Sequence, residues 1–180
     1  ILVTIQIGDQ KKDAVVQLTK TGLTFVLDRE TGEPLFPIEE MPVPPSTVEG
    51  EEAWPTQPIP LKPVPLTRLG ISASDLSNIN SQTNTYLHRQ FARFVSGTLY
   101  TPPSEQGTIS QPGHLGGSQW HGGSYDPYTN MLYVNVNDAP AILKLRKIYE
   151  PAEDSHITDL QRGRVIYERN CTVCHGRGRL

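Results

Sequence analysis

Residues 1–7, ILVTIQI, alternate weakly between apolar and polar, and GDQKK at 8–12 then turns the chain. AVVQL at 14–18 and LTFVL at 23–27 are rich in β-branched and aromatic residues, which predicts two strands. The KTG between them is a tight hairpin connection, with Gly22 free to take a positive φ. DRETGE at 28–33 is a polar turn with Gly32 at its exit, so the stretch reads as a β-meander. Residues 37–70 carry a proline at short intervals and predict a long loop, of the kind that is functional or wraps a domain.

ISASDLSNINSQTNTYLHRQFARFV, residues 71–95, predicts one helix or two, with Ser72 or Ser74 as a cap. Tyr86, Phe91 and Phe94 offer an apolar stripe, which a helix packed on a sheet explains. Residues 101–123 are rich in glycine and turns, and MLYVNV at 131–136 alternates cleanly as a strand. An apolar strand, an Asp-x-x-Thr turn and a second apolar strand occur twice, as FVLDRETGEPLF and SYDPYTNMLYV. A repeated meander of this form fits propeller blades. Beyond Pro151 the chain becomes polar and helical, with Asp154, Ser155 or Thr158 available as an N-cap, so a module boundary is expected near 150.

Composition narrows the function classes. A net charge of −3 over 180 residues gives no basic footprint for nucleic acid. No apolar run approaches the roughly 18 residues of a membrane span. Sixteen prolines are in the chain, ten of them between Pro34 and Pro65, so that region is stiffened and irregular. There is no initiator Met and residue 1 falls inside a strand-like run, so the chain reads as an internal piece of a longer protein. Its two cysteines stand together near the end, which implies no disulfide framework.

Those cysteines carry the strongest chemistry. Cys171, Cys174 and His175 sit at i, i+3 and i+4, so on a helix they share one face. Two thiols can then form thioethers to a porphyrin edge while the imidazole ligates iron, and Cys-x-x-Cys-His is the attachment signature of c-type haem. A redox Cys-x-x-Cys would want a βαβ context that the pattern lacks. Half a zinc site would need a second ligand pair outside the chain. RGRVIYERN before the motif, with Gly163 and Tyr167 on one face, fits the first helix of a cytochrome c. Met41 and Met131 lie far upstream, so a sixth, methionine ligand is expected outside this chain.

The remainder resembles a known family. VVQLTKTGLTFVLDRETGEPLFPIEEMPVP, WPTQPIPLKP, YTPPSEQGTISQPG and GGSQWHGGSYDPYTNMLYVNVND follow one another as in the quinoprotein dehydrogenases that use pyrroloquinoline quinone. The likeness covers nearly all of residues 14–140, and one branch of that family carries a c-type cytochrome. It implies a mainly β fold: part of an eight-bladed β-propeller over 1–150, with a Pro-rich loop and a short helical insert, then the start of an α-helical cytochrome c domain over 151–180.

The resemblance also implies residue roles. Lys20 matches the lysine whose ammonium meets the reactive quinone carbonyl, where a fixed cation suits oxygens that gain negative charge. Taken alone, Lys20 reads as a hairpin lysine in solvent. Gln119 and Trp120 fall where the family usually has Asn-Trp, lining the quinone edge. Gln in place of Asn adds a methylene, so its amide must approach from farther back, and a core aromatic is the other reading of Trp120. His121 follows the Trp as in some alcohol-oxidising relatives, His114 sits in a loop, and His88 and His156 read as surface residues. Gly116, Gly117, Gly122 and Gly123 permit close backbone approach.

The catalytic aspartate and the ligands of a calcium ion are expected outside this chain, upstream of residue 1. The whole implies a periplasmic enzyme oxidising a small-molecule alcohol or sugar and passing electrons to the haem and a downstream cytochrome or quinone acceptor. Two other readings stay open at this point: an electron-transfer cytochrome fused to a non-catalytic propeller scaffold, and a zinc-bearing interaction protein.

Overall fold

The computed structural model describes residues 1–146 and 157–176, and for residues 119–121 it describes the backbone alone. The chain divides into two compact units, Ile1–Leu145 and Arg146–Leu180. The first is mainly β, with few helices.

The meander forms as its alternation requires. Strands β1 (Leu2–Ile7), β2 (Gln10–Leu18) and β3 (Thr24–Asp28) make an antiparallel sheet in that order. Gly8 opens the first hairpin at φ 58, and Gly22 lies in the second at φ 79. Period-2 alternation puts Val3, Ala14, Val16 and Val26 on one buried face. Tyr125 and Leu132, from a hairpin more than a hundred residues away, pack against that face. The Tyr125 hydroxyl also donates to the Thr4 carbonyl at 2.8 Å, which ties the hairpin to the edge of β1.

The Pro-rich span differs from expectation. Within residues 37–70, β4 (Ile38–Pro42) and β5 (Thr56–Pro60) pair antiparallel, with Glu40 opposite Pro58. The Leu61 amide donates to Pro37 and the Val43 amide to Pro55, which brackets the ladder. Pro58 and Pro60 alternate along β5, so their missing N–H groups fall on the edge away from β4. A strand with every second residue proline can therefore still pair on one side, and the composition alone conceals it.

Ser72 caps a single 3₁₀ turn (Ala73–Asp75), and Asn80 caps helix α1 (Ser81–Phe91) by accepting from the Thr83 amide. The apolar stripe of α1 runs through Leu87 and Phe91, and with Phe94 just past the helix end they line a cavity with Ile71, Ile109 and Ile142. Tyr86, expected on that stripe, is exposed instead. One residue is 100° on a helix, enough to carry a side chain off a narrow face.

Strands β6 (Thr108–Ser110) and β9 (Ala141–Leu143) pair, as do β7 (Ser118–Asp126) and β8 (Met131–Val136). Among the described residues the strands form four separate sheets, one of three strands and three of two.

The second unit holds α2 (Asp159–Asn170) and α3 (Thr172–His175). Thr158 caps α2 in a reciprocal box with Gln161. The other candidate caps, Asp154 and Ser155, and the boundary expected near 150 lie outside the described residues, as does His156.

Both Asp-x-x-Thr turns form. Asp28 Oδ1 accepts from the amides of Glu30 at 2.9 Å and Thr31 at 3.1 Å. Asp126 accepts from the Thr129 hydroxyl at 2.6 Å and the Tyr128 amide at 2.9 Å. The halves that follow are unequal. Asp126 leads into the full strand β8, whereas after Asp28 the chain makes one bridge, Leu27 to Pro34, flanked by bonds from the Asp28 amide to the Glu33 carbonyl and from the Leu35 amide to the Val26 carbonyl.

The hydrogen bonds from Thr31 and Glu30 hold the Asp28 carboxyl below its ordinary value of 3.8, and those from Thr129 and Tyr128 do the same for Asp126. A depressed carboxyl contributes stability above its unfolded value and loses it as pH falls through the lower folded one. Asp28→Asn with Asp126→Asn should keep both turns at neutral pH, since an amide oxygen still accepts, and should flatten the fall in Tm below about pH 4. Thermal melts between about pH 2 and 7 would read this. Acid limbs parallel to the parent's would show that these carboxylates do not titrate with unfolding.

Candidate functional site

Lys20 stands at the tip of the β2–β3 turn, and hydroxyls brace that turn from within. Thr19 Oγ1 donates to the Leu23 carbonyl at 2.7 Å and lies 2.7 Å from Thr21 Oγ1. The Gly22 amide donates to the Thr19 carbonyl at 3.0 Å. Burial pushes the Tyr100 pKa up, and the Thr21 side chain near its hydroxyl acts in the opposite direction.

A second segment crosses this turn from far along the chain. The Gly117 amide donates to the Lys20 carbonyl at 2.6 Å, and the Ser118 amide donates to the Thr19 carbonyl at 3.3 Å. A Cβ on Gly116 would come within 2.8 Å of Lys20 Cγ and 3.1 Å of its Cα, and Gly116 has φ 86. A Cβ on Gly117 would meet Thr67 Cγ2 at 2.9 Å and Gly22 Cα at 3.0 Å. Two backbones therefore touch where no side chain fits, and this is the reason for glycine at both positions. Lys20 itself remains exposed.

A third segment closes the crossing. The Leu66 amide donates to the Gly22 carbonyl at 2.9 Å, which seats Thr67 against both glycines. Next along, Arg68 Nε donates to Asp138 Oδ2 at 2.9 Å, and Gln111 Nε2 donates to Asp138 Oδ1. The Asn137 amide donates to the Gly117 carbonyl at 2.8 Å. Arg68, Gln111 and Asp138 thus join three distant stretches behind the Lys20 turn. Their spacing in sequence carries no signal for this. Tyr100 and Thr67 were equally invisible there.

Backbone hydrogen bonds join the Lys20 turn to the stretch that holds Gln119 and Trp120. β7 pairs Ser118 with Val136 and resumes at Gly123 with Val134, so residues 119–122 bulge out of register beside the Lys20 turn. Bulges of this kind re-aim side chains and are enriched next to active sites. The side chains of Gln119, Trp120 and His121 lie outside the described residues. His114 and His88 are exposed, and the structure gives neither a part in this crossing.

The arrangement suits an electron-accepting, anionic cofactor. It offers an exposed cation on a turn held at three points, glycines that let backbone approach closely, and a buried Ser118 hydroxyl without a hydrogen-bond partner among the described residues. No group of three or more His, Cys, Asp or Glu side chains is gathered for a metal among the described residues.

In the second unit, Cys171 joins α2 to α3. Its carbonyl accepts from the Cys174 amide at 3.2 Å and the His175 amide at 2.9 Å, so all three side chains belong to one turn. Both thiols are free, Cys171 half-buried and Cys174 exposed, and His175 is exposed. Gly176 ends the turn at φ 74, and the Tyr167 hydroxyl donates to its carbonyl at 3.2 Å. Two free thiols and an imidazole on one turn fit covalent haem attachment.

Among the described residues no helix is long and apolar enough to cross a membrane. No solved structure matches the chain. Curated relatives do. The chain is 36% identical over 133 residues to a glycerol dehydrogenase large subunit from Gluconobacter thailandicus, covering 73% of this chain and 18% of that protein. It is 34% identical over 144 residues to the quinoprotein glucose dehydrogenase of Escherichia coli (strain K12), covering 80% and 18%. It is 32% identical over 146 residues to a quinate/shikimate dehydrogenase (quinone) of Acinetobacter baylyi, covering 81% and 18%. The chain therefore spans under a fifth of the length of these relatives. A family model described as "PQQ: Glucose/ethanol/alcohol dehydrogenase, beta-propeller domain" matches residues 1–171, a span that runs through α2 to the first cysteine of the terminal motif. With a family model across most of its length and relatives of this identity, the chain belongs to the pyrroloquinoline-quinone-dependent glucose/ethanol/alcohol dehydrogenase family, in its β-propeller domain.

Proposed function

We propose that this chain is a segment of a periplasmic quinoprotein dehydrogenase that oxidises an alcohol or sugar hydroxyl and passes the electrons to a c-type haem held by its own terminal motif. The observation that carries the reading is the Lys20 turn, pinned under Gly116 and Gly117 at the start of the Gln119–Trp120 bulge, in a chain of this family. The haem half rests on Cys171, Cys174 and His175 sharing one turn with both thiols free. Relatives named for glycerol, glucose and quinate all act on molecules bearing hydroxyl groups, which supports that substrate class.

When bound, pyrroloquinoline quinone supplies the two-electron sink for oxidation of a hydroxyl-bearing carbon. Lys20 would hold a fixed positive charge beside the quinone oxygens, where a cation stabilises gathering negative charge. The pinned backbone lets that ammonium be placed before reaction, so little reorganisation is needed as charge develops. Gln119 would offer an amide at the cofactor edge and Trp120 a flat apolar wall. Cys171 and Cys174 would carry the porphyrin as thioethers, and His175 would ligate its iron. The catalytic base and calcium ligands belong to parts of the enzyme outside this chain.

In the full-length, quinone-reconstituted enzyme, Lys20→Ala is expected to lower kcat by about two to three orders of magnitude, the loss typical of one electrostatic stabiliser. Lys20→Arg keeps the charge without the compact point geometry and should retain part of the activity. Steady-state dye reduction, with cofactor occupancy measured separately, decides the matter: a near-normal kcat for Lys20→Ala at full occupancy returns Lys20 to the solvent.

Produced in the periplasm with haem-attachment machinery, the full-length protein is expected to keep its haem through acid-acetone extraction. Cys171→Ala or Cys174→Ala should leave one thioether and shift the reduced absorption band, and His175→Ala should change the axial ligation. Complete extraction of haem from the unmutated protein, or stoichiometric zinc in its place, would overturn the haem assignment.

A further inference from the structure

The crossing that holds Lys20 has a wedge that the family match does not assign. We propose that Thr67 is a positioning residue for Lys20, acting through Gly22 and Gly117, an inference that rests on the role given to Lys20 above.

Thr67 is almost fully buried, at 9% exposure, and its side chain lies against both glycines of the crossing. Its Oγ1 lies against the face of Gly22, and its Cγ2 lies against the face of Gly117. The neighbouring Leu66 amide, at 2.9 Å from the Gly22 carbonyl, fixes the backbone that delivers it. Arg68, the residue after it, is anchored to Asp138. Thr67 is therefore clamped on both sides and can transmit its position to what it touches.

Both glycines lead directly to Lys20. Gly22 belongs to the same turn, and Gly117 donates the 2.6 Å hydrogen bond to the Lys20 carbonyl. A β-branched side chain is stiff at χ1, so its two branches form a rigid spacer between two backbones. Take the methyl away, and Gly117 can settle toward the gap, lengthening its bond to Lys20. The hydroxyl is a different matter. Thr67 Oγ1 is buried and has no hydrogen-bond partner among the described residues, so shape rather than hydrogen bonding is what Thr67 contributes. Valine has the same shape. This makes the proposal separable from a general packing role.

The experiment compares Thr67→Val, Thr67→Ser, Thr67→Ala and Lys20→Ala in the full-length, quinone-loaded enzyme. Thr67→Val should keep kcat within about twofold of the parent. Thr67→Ser and Thr67→Ala should lower kcat by about ten- to a hundredfold, the cost of misplacing a catalytic group by an ångström or less, with substrate KM little changed. A readout independent of turnover is amide hydrogen exchange at Gly117. Its protection should persist in Thr67→Val and fall in Thr67→Ser and Thr67→Ala, while amides of the β1–β2 ladder stay protected in all. Equal kcat in all three Thr67 variants, with Lys20→Ala strongly impaired, overturns the positioning role and leaves the Lys20 assignment standing. If Lys20→Ala is itself near normal at full occupancy, the Lys20 assignment has failed instead. Loss of β1–β2 protection together with Gly117 protection would reduce Thr67 to a packing residue and overturn the proposal as well.

Discussion

Everything that makes the first unit a functional platform depends on one backbone contact, the hydrogen bond from the Gly117 amide to the Lys20 carbonyl. It is the point where a hairpin near the start of the chain meets a glycine-rich segment nearly a hundred residues later. No Cβ can be accommodated on either glycine of that segment without displacing backbone or the root of Lys20. A turn that would be a flexible loop tip in an isolated hairpin is thereby held rigid. The backbone that carries Lys20 gains a defined place while the side chain stays exposed, which avoids the desolvation that burying a lysine costs.

Around this contact the chain spends its polar groups on bracing. Thr19 and Thr21 stiffen the turn from inside, and Tyr100 reaches it from the loop after α1. Asp138 gathers Arg68 and Gln111 behind it. Opposite, the Tyr125 hydroxyl ties the β7–β8 hairpin to β1 and lies 2.8 Å from the Asn130 side-chain amide, so the far end of the same strand is fixed as well. Rigid elements at both ends of β7 leave the bulge at 119–122 as the place where the strand departs from regular pairing. An irregular stretch between two anchors can re-aim its side chains while the strand on either side keeps its place.

The terminal motif follows a different physical logic. Its three groups are assembled by one local turn, with Cys171 bonded through its carbonyl to both Cys174 and His175, and no distant segment is needed to bring them together. The Thr158 box starts α2, and Gly176 closes the turn after the motif. Local hydrogen bonding alone sets the spacing of thiols and imidazole.

That contrast marks what the sequence determined by itself. The meander, the two Asp turns, the caps Ser72 and Thr158 and the haem-type spacing are local patterns, each fixed by residues within a few positions of one another, so they could be read along the chain. The likeness to quinoprotein dehydrogenases pointed to Lys20 for the same reason: the LTKTG turn is a contiguous string. The pairing of β4 with β5 escaped notice because proline content signals loop, and only the alternation of Pro58 and Pro60 against a partner strand permits a ladder. Leu87 rather than Tyr86 entered the apolar stripe because the packing partner sets where a stripe is centred. Thr67, Tyr100, Arg68, Gln111 and Asp138 carried no readable signal, since each matters through a contact with residues far away in sequence. Tertiary structure decided those, because only closure of long loops brings such groups within hydrogen-bonding or van der Waals reach.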